Sequence, residues 1–177
     1  MDLSDFVCLA REKPALPFLV IGGYAVAAHG YARATFDVDF LARRADREVW
    51  ITRLTAAGLR QVGDTRSFVR FGLPGGGDAL DLMFVDEDTF TGMVGAAEER
   101  DFGAAHALVP CLDHLLALKL HVLRQALAHR TSKDADDVEM LIRRNGLDLR
   151  EPRYEQLFLR YGNREIYETF RRLARQR

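Results

Sequence analysis

Two acidic residues in an apolar setting open the chemical reading of this chain. Asp37 and Asp39 stand in the run FDVDF, flanked by Phe36, Val38 and Phe40. Strict alternation predicts a strand, and on a strand residues two apart point to the same side. The carboxylates then share one face, about 6–7 Å apart along the strand, while Phe36, Val38 and Phe40 pack inward. Such a pair suits a hard cation that takes oxygen ligands and keeps waters, such as Mg²⁺. The alternative is a solvated strand face or a turn. A third acid, Asp81, interrupts the apolar run ALDLMFV. A central strand carries a lone acid only where something offsets its charge. If this strand pairs beside FDVDF, three carboxylates converge, as in two-metal sites for phosphoryl chemistry. The alternative for Asp81 is an ion pair with an arginine such as Arg33 or Arg70.

Gly22 and Gly23 follow a short apolar run and open a helix. Backbone N–H groups at such a turn attract anions, and glycine lets a phosphate approach closely. The pattern is neither G-x-G-x-x-G nor a Walker loop. By itself it is a turn, and its interest comes from standing before the D-x-D strand.

Downstream, the buried stripe of CLDHLLALKLHVLRQAL reads Leu112, Leu115, Leu116, Leu123 and Leu127, and Lys119 falls on it. A lysine in an apolar seam needs an anion: a triphosphate, a local acid, or a route outward for its ammonium. In TSKDADDVEML, Asp134 either closes a capping box begun by Thr131 or, like Asp137, faces the body of the protein. The five histidines form no ligand-like pair. Cys8 and Cys111 make no CxxC or Cys/His cluster, which disfavours zinc.

These residues need elements to hold them. Residues 2–12 read as an amphipathic helix, Phe18–Ile21 as a buried strand, and YAVAAHG as a helix stopped by Gly30. FDVDFLA is a strand. Residues 46–57 form a helix buried through Val49, Trp50, Leu54 and Ala57. Three strands follow: Leu59 to Val62, Ser67 to Phe71 and Ala79 to Val85, with PGGGD as a hairpin connection. Residues 88–97 suggest a helix; RDFG and HALVP are weak strand candidates. Beyond Pro110 the chain turns helical, over 112–129, 133–145, 151–160 and 164–175.

With 48% hydrophobic and 29% charged residues the chain is an ordinary globular protein, and its net charge of −1 exerts no global pull on nucleic acid or membrane. Residues 143–177 are the exception, with ten arginines against five acids. That face is a solvated surface or a meeting place for RNA or an acidic partner. The N-terminal MDLSDFVCLAREK lacks the apolar core of a signal peptide, and no stretch approaches the roughly 20 apolar residues of a membrane span. A cytoplasmic location is the expectation.

Taken together, GGYAVAAHGYARATFDVDF resembles the signature of the polymerase-β-type nucleotidyltransferases. More narrowly, it is similar to the small prokaryotic nucleotidyltransferases of the AbiEii toxin group. The family pattern is a Gly-Gly or Gly-Ser turn, a helix, then Arg-x-Ser/Thr-x-Asp-x-Asp, matched here by Gly22, Gly23, Arg33, Thr35, Asp37 and Asp39. The LDLMF strand resembles the third-carboxylate strand and gives Asp81. LDHLLALKLHVLRQ and SKDADDVEML are similar to the group's lysine helix and Lys-Asp-x-x-Asp helix, matching Lys119, Lys133, Asp134 and Asp137. Two departures stand out. The turn lacks the serine of many active members, and the chain is shorter than typical AbiEii toxins.

The resemblance implies an α/β (α+β) nucleotidyltransferase fold, a mixed β-sheet flanked by helices. Residues 1–110 would form the core and 111–177 a helical subdomain closing a cleft. It implies Mg²⁺-dependent transfer of a nucleoside monophosphate from a nucleoside triphosphate to a hydroxyl. Gly22 and Gly23 would hold the β- and γ-phosphates. Asp37 and Asp39 would bind the nucleotide's metal, and a second ion would be bridged with Asp81, also the base. Lys119 would neutralise the triphosphate, with Arg33, Thr35 and Asp134 in the nucleotide-binding set. The acceptor would be a tRNA end, a protein hydroxyl or a small molecule such as an aminoglycoside. The role implied is the toxin of a toxin–antitoxin or phage-defence system, with an antitoxin protein as partner. The competing readings are a non-catalytic nucleotide-binding or interaction module of the same fold, and a structural α/β protein whose acids form ion pairs.

Overall fold

In the computed structural model, residues 1–76, 78–103, 105–125 and 131–174 are described. The chain divides into two units, Met1–Ala25 with Arg33–Cys111, and Val26–Ala32 with Leu112–Arg177.

The first unit begins with helix α1 (Leu3–Arg11), which buries Leu3, Phe6, Val7 and Ala10 as the period-3.6 spacing requires. A reciprocal capping box between Asp2 and Asp5 starts it. The guanidinium of Arg53 donates to the carbonyls of Leu9, Ala10, Glu12 and Pro14 at 2.7–3.3 Å, satisfying groups that the end of a helix leaves open. Next come β1 (Phe18–Val20), α2 (Gly22–Ala28), whose residues from Val26 on belong to the second unit, β2 (Val38–Arg43), a 3₁₀ turn at Arg44–Asp46 and α3 (Arg47–Ala56). Strands β3 (Arg60–Thr65), β4 (Phe68–Gly72) and β5 (Asp78–Val85), helix α4 (Glu87–Gly95), and β6 (Glu98–Asp101) with β7 (His106–Val109) complete the unit.

The main sheet has the order β1-β2-β5-β4-β3. Its one parallel pair, β2 with β5, lies at the centre, and the other pairs are antiparallel. The central strands are apolar because both their faces are covered: Val38, Phe40, Leu41, Ala42, Leu80, Leu82 and Phe84 are all buried. The edge strand β3 is almost wholly exposed. Phe18 stacks on Phe40 at 4.4 Å between ring centroids, and Trp50 meets both rings edge-on. The weak strand candidates RDFG and HALVP form a hairpin of their own, with Glu98 opposite Val109 and Asp101 opposite His106.

The second unit holds α5 (Leu112–Arg124), α6 (Thr131–Arg144), α7 (Pro152–Tyr161) and α8 (Arg164–Leu173). Its core joins Leu115, Leu116 and Leu120 of α5, Val138, Leu141 and Ile142 of α6, and an aromatic cluster in which Phe158 meets Tyr167 and Phe170 edge-on. The Tyr167 hydroxyl donates to the Leu149 carbonyl at 2.8 Å, so burial leaves it satisfied. Pro152 at the first turn of α7 and the Asn163 side chain capping α8 mark the helix starts. No helix among the described residues is long and apolar enough to cross a membrane.

Three expectations are corrected. Strand β2 starts at Val38, so Asp37 lies just before it. Phe36 is 90% exposed rather than inward-facing, because the chain is not yet in the pleat that would turn it under the sheet. Helix α3 buries only Trp50 and Leu54, leaving Val49 and Ala57 outside, since its core-facing stripe is narrower than four residues. Expectations for residue 77 in the PGGGD turn, for Leu127 and His129 in the 112–129 helix, and for residue 175 lie outside the described residues.

Candidate active site

The register of the central strands decides the geometry. Asp39 of β2 stands opposite Asp81 of β5, and Asp81 stands opposite Arg70 of β4. Directly opposed residues share a face, so Asp39, Asp81 and Arg70 form one row across three neighbouring strands. Two like charges at strand spacing, ~5 Å, repel by about 3 kcal/mol at the effective dielectric of a protein surface. Arg70 offsets this from the other side. Its Nε donates to Asp81 Oδ1 at 2.8 Å and its Nη2 to Asp81 Oδ2 at 2.7 Å. This is the two-pronged geometry that suits guanidinium to carboxylate. The Asp81 side chain is 4% exposed and that of Arg70 30%. The Arg70 guanidinium also lies 5.5 Å from the Phe68 ring centroid, on the same side of β4.

The Gly-Gly turn is bound up with the same carboxylates. Gly22 opens α2 with φ +61, a left-handed conformation that disfavours a side chain. A Cβ there would lie 1.8 Å from Asp39 Oδ2, and one on Gly23 would lie 2.5 Å from Thr35 Oγ1. The glycines therefore leave space for the side chains of the D-x-D segment itself. The Ile21 N–H donates to the Asp39 carbonyl at 2.9 Å, fastening the turn to β2. The Thr35 hydroxyl reaches the Asp37 carbonyl at 3.4 Å, and Arg33 donates to the Ala34 carbonyl at 3.2 Å.

Asp37 and Asp39 offer the hard oxygen donors that a divalent cation such as Mg²⁺ takes, and the missing side chain at Gly22 lets the Asp39 carboxylate stand against the turn. That chemistry fits one ion. A second ion shared with Asp81 fits poorly, because both Asp81 oxygens already accept hydrogen bonds from Arg70. Among the described residues no group of three or more His, Cys, Asp or Glu gathers as a metal cluster.

Lys119 and Asp134 belong to the helical unit. The Lys119 ammonium contacts Asp134 at 2.6 Å and Asp137 at 2.8 Å, with all three side chains at most 10% exposed. Two carboxylates of α6 thus supply acidic neighbours to the lysine on the buried stripe of α5.

Reading the sequence pointed to each carboxylate but missed the register and the space-clearing role of the glycines. The sequence offers Arg33 and Arg70 alike as partners for Asp81, and the strand register selects Arg70. Its signal was present: a lone arginine in the apolar run SFVRFG complements a lone aspartate in ALDLMFV.

No family model and no curated protein matches the chain. Solved structures do. The solution structure of the antibiotic-resistance factor ANT(2'')-Ia is similar over 100% of both chains, with TM-score 0.66 and 13% identity. The lincosamide antibiotic adenylyltransferase LnuA, lincomycin-bound, is similar over 80% of this chain and 96% of its own, with TM-score 0.55 and 15% identity. An antigenic nucleotidyltransferase-like protein from Paracoccidioides brasiliensis is similar over 96% of this chain and 90% of its own, with TM-score 0.56 and 14% identity. The chain has the nucleotidyltransferase fold. At these identities the likeness speaks for the fold, and the chemistry rests on the residues.

Proposed function

We propose that the chain is a nucleotidyltransferase that moves a nucleoside monophosphate from a nucleoside triphosphate to a hydroxyl of a small-molecule acceptor. The observation that carries this reading is the opposition of Asp39 and Asp81 on the central parallel strands, with Gly22 leaving room for the Asp39 carboxylate. Asp37 and Asp39 hold the divalent cation that accompanies the triphosphate. That ion supplies charge neutralisation of the phosphate oxygens. Backbone amides at Gly22 and Gly23 receive the terminal phosphates, a role for which a missing serine hydroxyl is no bar. Arg33 and Thr35 flank the same segment. The acceptor hydroxyl oxygen bonds to the α-phosphorus, the bond to the bridging oxygen breaks, and pyrophosphate leaves. Asp81 takes the hydroxyl proton.

The choice of a small-molecule acceptor over tRNA or protein draws on the similar structures. One holds an adenylylated tobramycin and another holds lincomycin. The AbiEii-type toxin role and an antitoxin partner rest on the sequence motif alone, and we place them behind it. One observation favours a second reading, a nucleotide-binding module without catalysis: Asp81 is already neutralised by Arg70.

A single experiment separates these readings. The protein is incubated with each α-labelled nucleoside triphosphate, Mg²⁺, and either a panel of aminoglycosides and lincosamides or total RNA. An Asp37→Ala/Asp39→Ala variant runs alongside. Label on a small molecule, lost in the variant, is the expected result. Label on RNA alone overturns the choice of acceptor. Nucleotide binding without transfer supports the second reading, and neither binding nor transfer ends both.

A further inference from the structure

The row Asp39–Asp81–Arg70 carries an inference about how many cations this site takes, and it rests on the nucleotidyltransferase reading. We infer that the Arg70 guanidinium fills the role of a second metal ion, so that the site works with a single divalent cation. Two observations converge. Arg70 places one N–H on each Asp81 oxygen, at 2.8 and 2.7 Å, the edge of the carboxylate that a bridging cation would need. The Asp81 side chain is 4% exposed, so its charge needs a fixed partner in place of water, and Arg70 supplies it.

Arg70 is held in place independently of any ligand. Its position is fixed by the antiparallel register of β4 on β5, and its guanidinium lies beside the Phe68 ring. A guanidinium cannot deprotonate in a protein, so this positive charge is permanent, unlike a metal that must be recruited. Arg70 is in this sense a positioning residue. It fixes the Asp81 carboxylate and its charge, and leaves the cation to Asp37 and Asp39.

The test counts cations. Mn²⁺ bound per bound nucleotide is measured by electron paramagnetic resonance with each of the four α,β-methylene nucleoside triphosphates, on the wild type and on Asp81→Asn, Arg70→Gln and Arg70→Lys. One Mn²⁺ is expected in the wild type, in Asp81→Asn and in Arg70→Lys, and two in Arg70→Gln, where Asp81 is released. Two Mn²⁺ in the wild type falling to one in Asp81→Asn overturns the inference, because Asp81 is then a metal ligand. One Mn²⁺ in a folded Arg70→Gln also overturns it. If Arg70→Gln does not fold, the comparison of wild type with Asp81→Asn still decides. Absence of any nucleotide-dependent Mn²⁺ binding in the wild type is a different result, and removes the nucleotidyltransferase reading itself.

Discussion

At position 22 a methyl group would lie 1.8 Å from Asp39 Oδ2, on a backbone already at φ +61. Gly22→Ala must therefore either displace the carboxylate or shift the turn. The left-handed conformation alone costs roughly 1–2 kcal/mol for a residue with a side chain. A misplacement of about 1 Å in a catalytic group costs on the order of 100-fold in rate. We expect Gly22→Ala to lower stability in urea by at least ~1 kcal/mol and to cut transfer activity by about two orders of magnitude. Unchanged activity in the folded variant would show that Asp39 does not depend on this glycine. A second prediction at this scale concerns pH. Arg150 hydrogen-bonds the exposed Asp148 carboxyl and holds it down to about 2. Because the folded value is depressed, the stabilisation is present above the ordinary carboxylate range and is lost as pH falls towards 2. An NMR titration should place the Asp148 midpoint near 2, and Arg150→Ala should return it towards the ordinary value. A midpoint that does not move in the variant rules out Arg150 as the cause.

Among the elements, helices α5 and α6 share a buried charge cluster in addition to their apolar core residues. Lys119 lies between Asp134 and Asp137, the latter with a fully buried side chain. Such clusters add little net stability over apolar packing, yet removing one partner leaves uncompensated buried charge. Lys119→Met should destabilise the fold by about 3–5 kcal/mol, and the triple change with Asp134→Asn and Asp137→Asn should recover much of that. Chemical denaturation reads both. A Lys119→Met protein as stable as the wild type would show that the cluster does not matter to the packing of the two helices. The same logic explains Arg53. It is the fastener between α3 and the end of α1, and no apolar residue could satisfy those four carbonyls.

For the molecule as a whole, the nucleotidyltransferase reading predicts coupling between ligand and stability. A ligand that binds only the folded state stabilises it by RT ln(1 + [L]/Kd), about 2.7 kcal/mol at a hundred times Kd. A nucleoside triphosphate with Mg²⁺ at saturating concentration should raise the melting temperature by several degrees. The rise should be smaller with the triphosphate alone and absent in Asp37→Ala/Asp39→Ala. A rise that survives the double change would place the nucleotide elsewhere. The basic segment from residue 143 onward does not enter this reading. Several of its arginines pair with acids of the same segment, among them Arg150 with Asp148, Arg153 with Glu151 and Arg164 with Glu155. Among the described residues these arginines are held in local ion pairs.

The sequence by itself determined the order of the elements, the strands that carry Asp39 and Asp81, and the burial of Lys119. Each of these follows from local periodicity: alternation for strands, a 3.6-residue stripe for α5, and glycine where a helix or strand must stop. It also carried the resemblance that led to the fold. Only the tertiary structure decided who meets whom. Asp39, Asp81 and Arg70 come together through strand order and register, which no local pattern specifies. Lys119 finds its acids fifteen residues or more downstream, where periodicity showed only that an anion was needed. Phe36 turned outward because the strand begins two residues later than alternation suggested. The role of Gly22 changed as well. The sequence offered a flexible turn for phosphate, and the fold added a steric reason, the Asp39 carboxylate lying where a side chain would be.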